Sequence, residues 1–159
     1  MISLKKEDEQ SHTISIKVSN ESGVLARVIG LFSGRGYNIE SLNVAEIDED
    51  SHKSRITIVT NGSIMTINQI KLQLERLIPV DTVDDLTTDG PSIEREMALI
   101  KVECNGNNRE EVIRLSETYR AKIVDTSKNS FVFELTGAID KINSFIEMMR
   151  PLGLVDISR

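Results

Sequence analysis

The sequence predicts an α+β protein made of two tandem ferredoxin-like units, each with the element order βαββαβ. Three observations predict it. Short apolar stretches switch between a period of two and a helical period, in the order strand, helix, strand, strand, helix, strand. A turn-rich break at residues 87–92, Thr-Thr-Asp-Gly-Pro-Ser, is followed by the same order again. The 159 residues suffice for two small domains, and with no Trp and 4% aromatic residues the cores must be built mainly from Ile, Leu and Val.

Residues 13–19 alternate, with Ile14, Ile16 and Val18 on one face, which predicts the first strand. Asn20-Glu21-Ser22-Gly23 follows, a turn rich in helix-capping residue types. Leu25, Val28, Ile29 and Phe32 then fall at helical spacing, and Gly34 or Gly36 can supply the left-handed residue that ends such a helix. Residues 39–47 read as a second strand, with Asn38 at its start, and Asp48-Glu49-Asp50-Ser51 as a turn. Residues 55–60 form a third strand, broken by Asn61-Gly62-Ser63. Ile67, Ile70, Leu74 and Leu77 mark a second helix stopped by Pro79, and residues 80–86 complete the unit.

In the second half, residues 97–103 read as a strand, and Asn108 with Glu111 has the spacing of a capping box. Val112, Leu115 and Tyr119 form the apolar face of the helix behind it. Residues 121–125 and 131–135 read as strands around Ser127-Lys128-Asn129-Ser130. Ile139, Ile142, Phe145 and Met149 mark the last helix, ended by Pro151, and residues 154–157 are strand-like. The expected domains are a mobile tail at 1–12, a first unit at 13–86, a linker at 87–94 and a second unit at 95–159. A right-handed crossover puts both helices of a unit on one sheet face and leaves the other uncovered. Each unit is small for a core of its own, so pairing with a neighbour is expected.

The residues offer little for catalysis. His12 precedes the first strand and His52 borders the acidic turn, and neither has a Cys or His at zinc-ligand spacing. Asp48-Glu49-Asp50 lacks the spacing and glycine of a calcium loop. Gly34-Arg35-Gly36 ends a helix and lacks a third glycine, so it is no dinucleotide fingerprint. No metal, cofactor or catalytic residue is expected in this chain. A net charge of −6 disfavours phosphate backbones and anionic membranes. Arg35-Gly36-Tyr37 begins like an RNA-recognition signature, but Asn38, Ile39 and Leu42 break it, and it follows the first helix instead of lying on the third strand. Neither nucleic acid nor membrane is an expected partner. The single cysteine, Cys104, ends an apolar strand and reads as buried filler in a reducing compartment. With no apolar run of spanning length and no secretory signal pattern, the expected location is cytoplasmic.

The turn at Asn20 to Gly23 suits ligand binding. The first N–H groups of a helix lack internal acceptors and carry the positive end of the dipole, so they bind a carboxylate well. Gly23 lets a ligand approach the backbone, and the Asn20 amide can serve either an ammonium or a carboxylate. The same residues could equally do no more than cap the helix and ease the turn. Asn38 could meet the same ligand from its own subunit or from a partner's.

These stretches carry a family resemblance. Asn20-Glu21-Ser22-Gly23, Arg27-Val28-Ile29-Gly30-Leu31-Phe32, Arg35-Gly36-Tyr37-Asn38-Ile39-Glu40-Ser41-Leu42 and Val44-Ala45 resemble the small, regulatory subunit of acetolactate synthase (acetohydroxyacid synthase). Ser54-Arg55 fits the same pattern, and residues 93–102 resemble that family's junction into its second domain. The resemblance implies that the first unit is an ACT domain, an amino-acid-sensing module that forms a homodimer. It implies a non-catalytic chain that binds a large catalytic subunit, where thiamine diphosphate, magnesium and FAD reside. Binding raises that enzyme's activity and confers feedback inhibition by valine in branched-chain amino acid biosynthesis. The implied valine contacts are Asn20, Ser22, Gly23, Val24 and Leu25 from one protomer, and Asn38 and Ile39 across the interface. The alternative is a free-standing ACT-domain amino-acid sensor with another effector or client.

Overall fold

The computed structural model describes residues 9–104 and 106–159, so most of the expected tail, residues 1–8, lies outside the described residues. The chain divides between Ser92 and Ile93 into two compact units.

The first unit runs β1 (Gln10–Ser19), α1 (Val24–Gly34), β2 (Ser41–Asp48), β3 (Lys53–Gly62), α2 (Ile64–Leu74) and β4 (Val80–Asp85). Its antiparallel sheet has the order β2-β3-β1-β4, as a split βαβ requires. Ile14, Ile16 and Val18 of β1 face Ile56 and Ile58 of β3 and the helix residues Val28, Phe32, Ile67, Ile70 and Leu74 in one buried cluster. The second unit repeats the order with β5 (Glu96–Glu103), α3 (Arg109–Tyr119), β6 (Lys122–Thr126), β7 (Ser130–Gly137), α4 (Ile139–Met149), a 3-10 turn at Arg150–Leu152, and β8 (Leu154–Ser158). Its sheet order is β6-β7-β5-β8, around a core that includes Ile100, Phe133, Phe145 and Met149.

The exit from α1 follows from its sequence. Gly36 adopts φ 71°. Its N–H bonds to the Ser33 carbonyl at 3.2 Å, and the Tyr37 N–H reaches back to Phe32 at 3.0 Å. This paired closure is the Schellman motif, and it brings the accompanying apolar contact, with the Tyr37 ring edge-on to Phe32 at 6.3 Å. At α2, the Ser63 side chain accepts from the Thr66 N–H, an ordinary N-cap.

Several local expectations are corrected. β1 begins at Gln10, so His12 lies inside the strand, 1% exposed, with Nδ1 2.8 Å from the Asp85 carboxylate. A buried imidazole is tolerated there because a carboxylate on the neighbouring strand meets it. The second strand begins at Ser41 instead of at Asn38, because the preceding residues are tied elsewhere: Thr60 Oγ1 donates to the Asn38 carbonyl at 2.6 Å. The capping box at Asn108 is absent. The Asn108 amide donates instead to the Leu152 carbonyl at 2.8 Å, fastening the start of α3 to the turn after α4.

Candidate functional site

Neither Asn20 nor Ser22 caps α1. The N-cap is Gly23 itself, at φ 84°, with no side-chain cap bond. That left-handed conformation is nearly free for glycine and strained for most other residues. It turns the chain sharply into the helix and leaves the first turn open. A Cβ built on Gly23 meets nothing within 4 Å. Among the described residues, the Val24 N–H bonds to the Glu21 carbonyl and the Arg27 N–H to Gly23, whereas Ser22, Gly23, Leu25 and Ala26 donate no hydrogen bond from their N–H groups. Several amide donors therefore point out of a helix N-terminus with no acidic side chain in its first turn.

The other expected contacts are placed as follows. Ser22 is exposed. Val24 is 7% exposed and belongs to the core, against which Leu25 packs partly buried. The Asn20 N–H bonds to the His52 carbonyl at 2.7 Å, which fixes the turn against the β2–β3 connection. The Asn20 side-chain amide lies 3.4 Å from the Glu46 carboxylate, leaving its carbonyl oxygen free. Beside it, Lys53 Nζ contacts Ser19 Oγ at 3.1 Å and Asp81 at 2.8 Å, so its charge is already paired.

Asn38 and Ile39 lie elsewhere. Ile39 is partly buried against the core, and the Asn38 amide is bonded to Glu40. The Asn38 carbonyl is held by Thr60, whose register partner is His12, whereas Asn20 follows the other end of β1. About eight residues of strand separate the two ends, roughly 26 Å at 3.3 Å per residue. One protomer therefore cannot bring Asn20 and Asn38 onto the same small ligand.

The edge of the sheet supplies a way to join them. All eight residues of β2 are exposed, including Leu42 and Val44 at 40% and 44%. Both sit opposite core residues of β3, Ile58 and Ile56. An edge strand with free backbone groups and half-covered apolar side chains is a template for another strand. Antiparallel pairing of β2 with β2 of a second copy reverses one sheet against the other. In such a pair the Asn38 end of one protomer would lie at the Asn20 end of its partner.

Comparison with known proteins identifies the family. Residues 14–82 match the family described as the AHAS small subunit-like ACT domain, and residues 95–159 match that described as the small subunit of acetolactate synthase. The chain is 45% identical to the acetolactate synthase small subunit of Aquifex aeolicus, over 98% of this chain and 81% of that one. The chain belongs to the acetolactate synthase small-subunit family. It is 42% identical to the isozyme 3 small subunit of Escherichia coli over 92% of this chain and 89% of that one. The crystal structure of the acetolactate synthase small subunit from Thermotoga maritima superposes with a TM-score of 0.85 at 36% identity, covering 94% of this chain and 92% of that one. Its members are the regulatory, non-catalytic subunits of an enzyme of branched-chain amino acid biosynthesis, and a small subunit of this kind associates with the large one.

The acidic β2–β3 turn is closed on itself. Ser51 donates to the Asp48 carboxylate through both its hydroxyl and its backbone N–H, which holds that carboxyl below its usual range. Burial pushes the Cys104 thiol up, against a smaller opposing pull from Arg109, so it is a poor nucleophile. Among the described residues, no cluster of three or more His, Cys, Asp or Glu could hold a metal, and no helix is long and apolar enough to cross a membrane. The sequence did not single out Glu46 or the His52 carbonyl as neighbours of the turn. Both come from the β2–β3 hairpin, and only strand register brings them there.

Proposed function

We propose that this chain activates the acetolactate synthase catalytic subunit and makes it sensitive to feedback by valine, bound between the first units of two copies. The observation that carries the reading is the α1 entrance: unused N–H groups around an open, left-handed Gly23. A free amino acid presents a carboxylate to such amides. Asn20 and Gly23 of one protomer and Asn38 and Ile39 of the partner would enclose it, with β2 pairing as the dimer contact. An isologous contact of this kind gives two identical sites per dimer. The fold from residues 13 to 86 is thus assigned to effector binding and pairing, and thiamine diphosphate, magnesium and FAD to the catalytic partner. Both subunits would work in the cytoplasm.

The magnitudes suit a sensor that releases its ligand as the pool falls. A buried isopropyl group is worth ~1.5–3 kcal/mol. A carboxylate at a helix N-terminus adds up to ~2 kcal/mol when partly buried, and charge-assisted hydrogen bonds ~1.5–3 kcal/mol each. After ordering costs, a dissociation constant between about 1 μM and 1 mM is expected. One methylene shifts binding by only ~1–3 kcal/mol, so leucine and isoleucine should act more weakly but in the same sense. Rotation of one protomer against the other would break half the contacts, which lets the ligand bias the arrangement of the pair.

Reconstitution with the catalytic subunit tests the reading. Acetolactate formation should rise on mixing and fall when valine is added. No activation, or activation indifferent to valine, would count against it. Calorimetric binding of a different amino acid in place of valine would favour an ACT-domain sensor with another client.

A further inference from the structure

Resting on the effector site proposed above, we infer that Glu46 is the counter-charge for the effector's ammonium group and sets the preference for an amino acid over a plain carboxylic acid. A zwitterion needs two poles. The α1 amides supply the positive one, and Asn20 is neutral. The Glu46 carboxylate is 3.4 Å from the Asn20 amide. Val18, Ser54 and Glu46 stand opposite one another across β1, β3 and β2. Val18 and Ser54 are buried on the helix-covered face of the sheet, so Glu46 extends the same row at the β2 edge, on the side where α1 begins.

Three further features single Glu46 out. Among the described residues, no cation pairs with it, whereas the neighbouring Lys53 is paired with Asp81. Its position on β2 lies between the turn and the place where the partner's Asn38 end arrives when the two β2 strands pair. The closed site would then screen its charge from water, which strengthens an ion pair that would be weak on an open surface. Among the described residues, the other carboxylate of the turn, Glu21, makes no side-chain hydrogen bond to a site residue, whereas Glu46 meets the Asn20 amide.

The test is titration calorimetry of the full chain with valine and with 3-methylbutanoate, the same skeleton without the amine. Wild type should bind valine and discriminate strongly against 3-methylbutanoate. In Glu46→Gln, valine should bind about tenfold more weakly or worse, while 3-methylbutanoate is unaffected or improved, so the ratio of the two collapses. Glu21→Gln should leave the ratio intact. Equal valine affinity in wild type and Glu46→Gln, or an equal loss in Glu21→Gln, overturns the assignment of Glu46 and leaves the effector site standing. No valine binding by wild type overturns the effector site and this inference with it.

Discussion

Replacing Gly23 by aspartate or by asparagine separates the two things that this glycine does. Its φ of 84° is costly for a side chain, but a Cβ there meets nothing within 4 Å, so the Cβ of neither variant clashes with the protein. Both carry the left-handed strain alone, about 1 kcal/mol for these two tolerant residue types. That corresponds to a fall of about 4–8 °C in the melting temperature of a unit this size. Charge is the only large difference between them. The aspartate places its own carboxylate where the ligand's should sit, against the same amides. It removes up to ~2 kcal/mol of dipole stabilisation. At about 4 Å and an effective dielectric of 20, like-charge repulsion adds ~4 kcal/mol. Valine binding should therefore weaken by more than about three decades in Gly23→Asp. Gly23→Asn should lose no more than about tenfold, since its amide can still donate to the ligand. Calorimetry with valine and acetolactate assays of the reconstituted enzyme read both. Equal valine affinity in the two variants would refute the claim that a carboxylate occupies the α1 entrance.

Other expectations follow from the same structure. Val44→Asp puts a charge into the exposed β2 edge and should convert the proposed dimer to a species of one chain's mass in analytical ultracentrifugation, with valine binding lost as well. His12→Ala should destabilise the first unit by about 3 kcal/mol in denaturant titration, because it strips a partner from the Asp85 carboxylate, 3% exposed. The Lys71 hydrogen bond, 2.9 Å long, holds the Asp89 carboxyl below its ordinary value of 3.8. A depressed carboxyl contributes stability above its unfolded value, and that contribution is lost as pH falls through the folded value. Unfolding midpoints measured between about pH 5 and about pH 2 should therefore drop less in Asp89→Asn than in wild type.

The fold was legible because its two periods are clean. Ile14, Ile16 and Val18 alternate, Val28 and Phe32 recur at helical spacing, and the sequence repeats the whole order after Ser92. Boundaries were less so. His12 reads as a polar residue before a strand, and nothing local shows that Asp85, 73 positions away, will meet it in the core. Asn108 has capping-box spacing, yet a carbonyl at Leu152 outcompetes the helix for its amide. The α1 entrance was visible in outline, since Gly23 announces close approach. Its geometry was not: asparagine and serine are capping types, and only the left-handed Gly23 shows that neither caps. The closeness of Glu46 to Asn20 was hidden because it depends on register across two strands.

In the proposed arrangement, one effector site is built from two protomers whose relevant ends lie far apart in each chain. Mixed dimers test it most directly. A Gly23→Asp protomer paired with an Asn38→Ala protomer holds one doubly damaged site and one site with an intact turn and an intact Asn38. Isolated through two different affinity tags, that mixed dimer should bind one valine with near wild-type affinity, although the Gly23→Asp parent binds none and the Asn38→Ala parent only weakly. A mixed dimer in which no site recovers wild-type affinity would contradict the account.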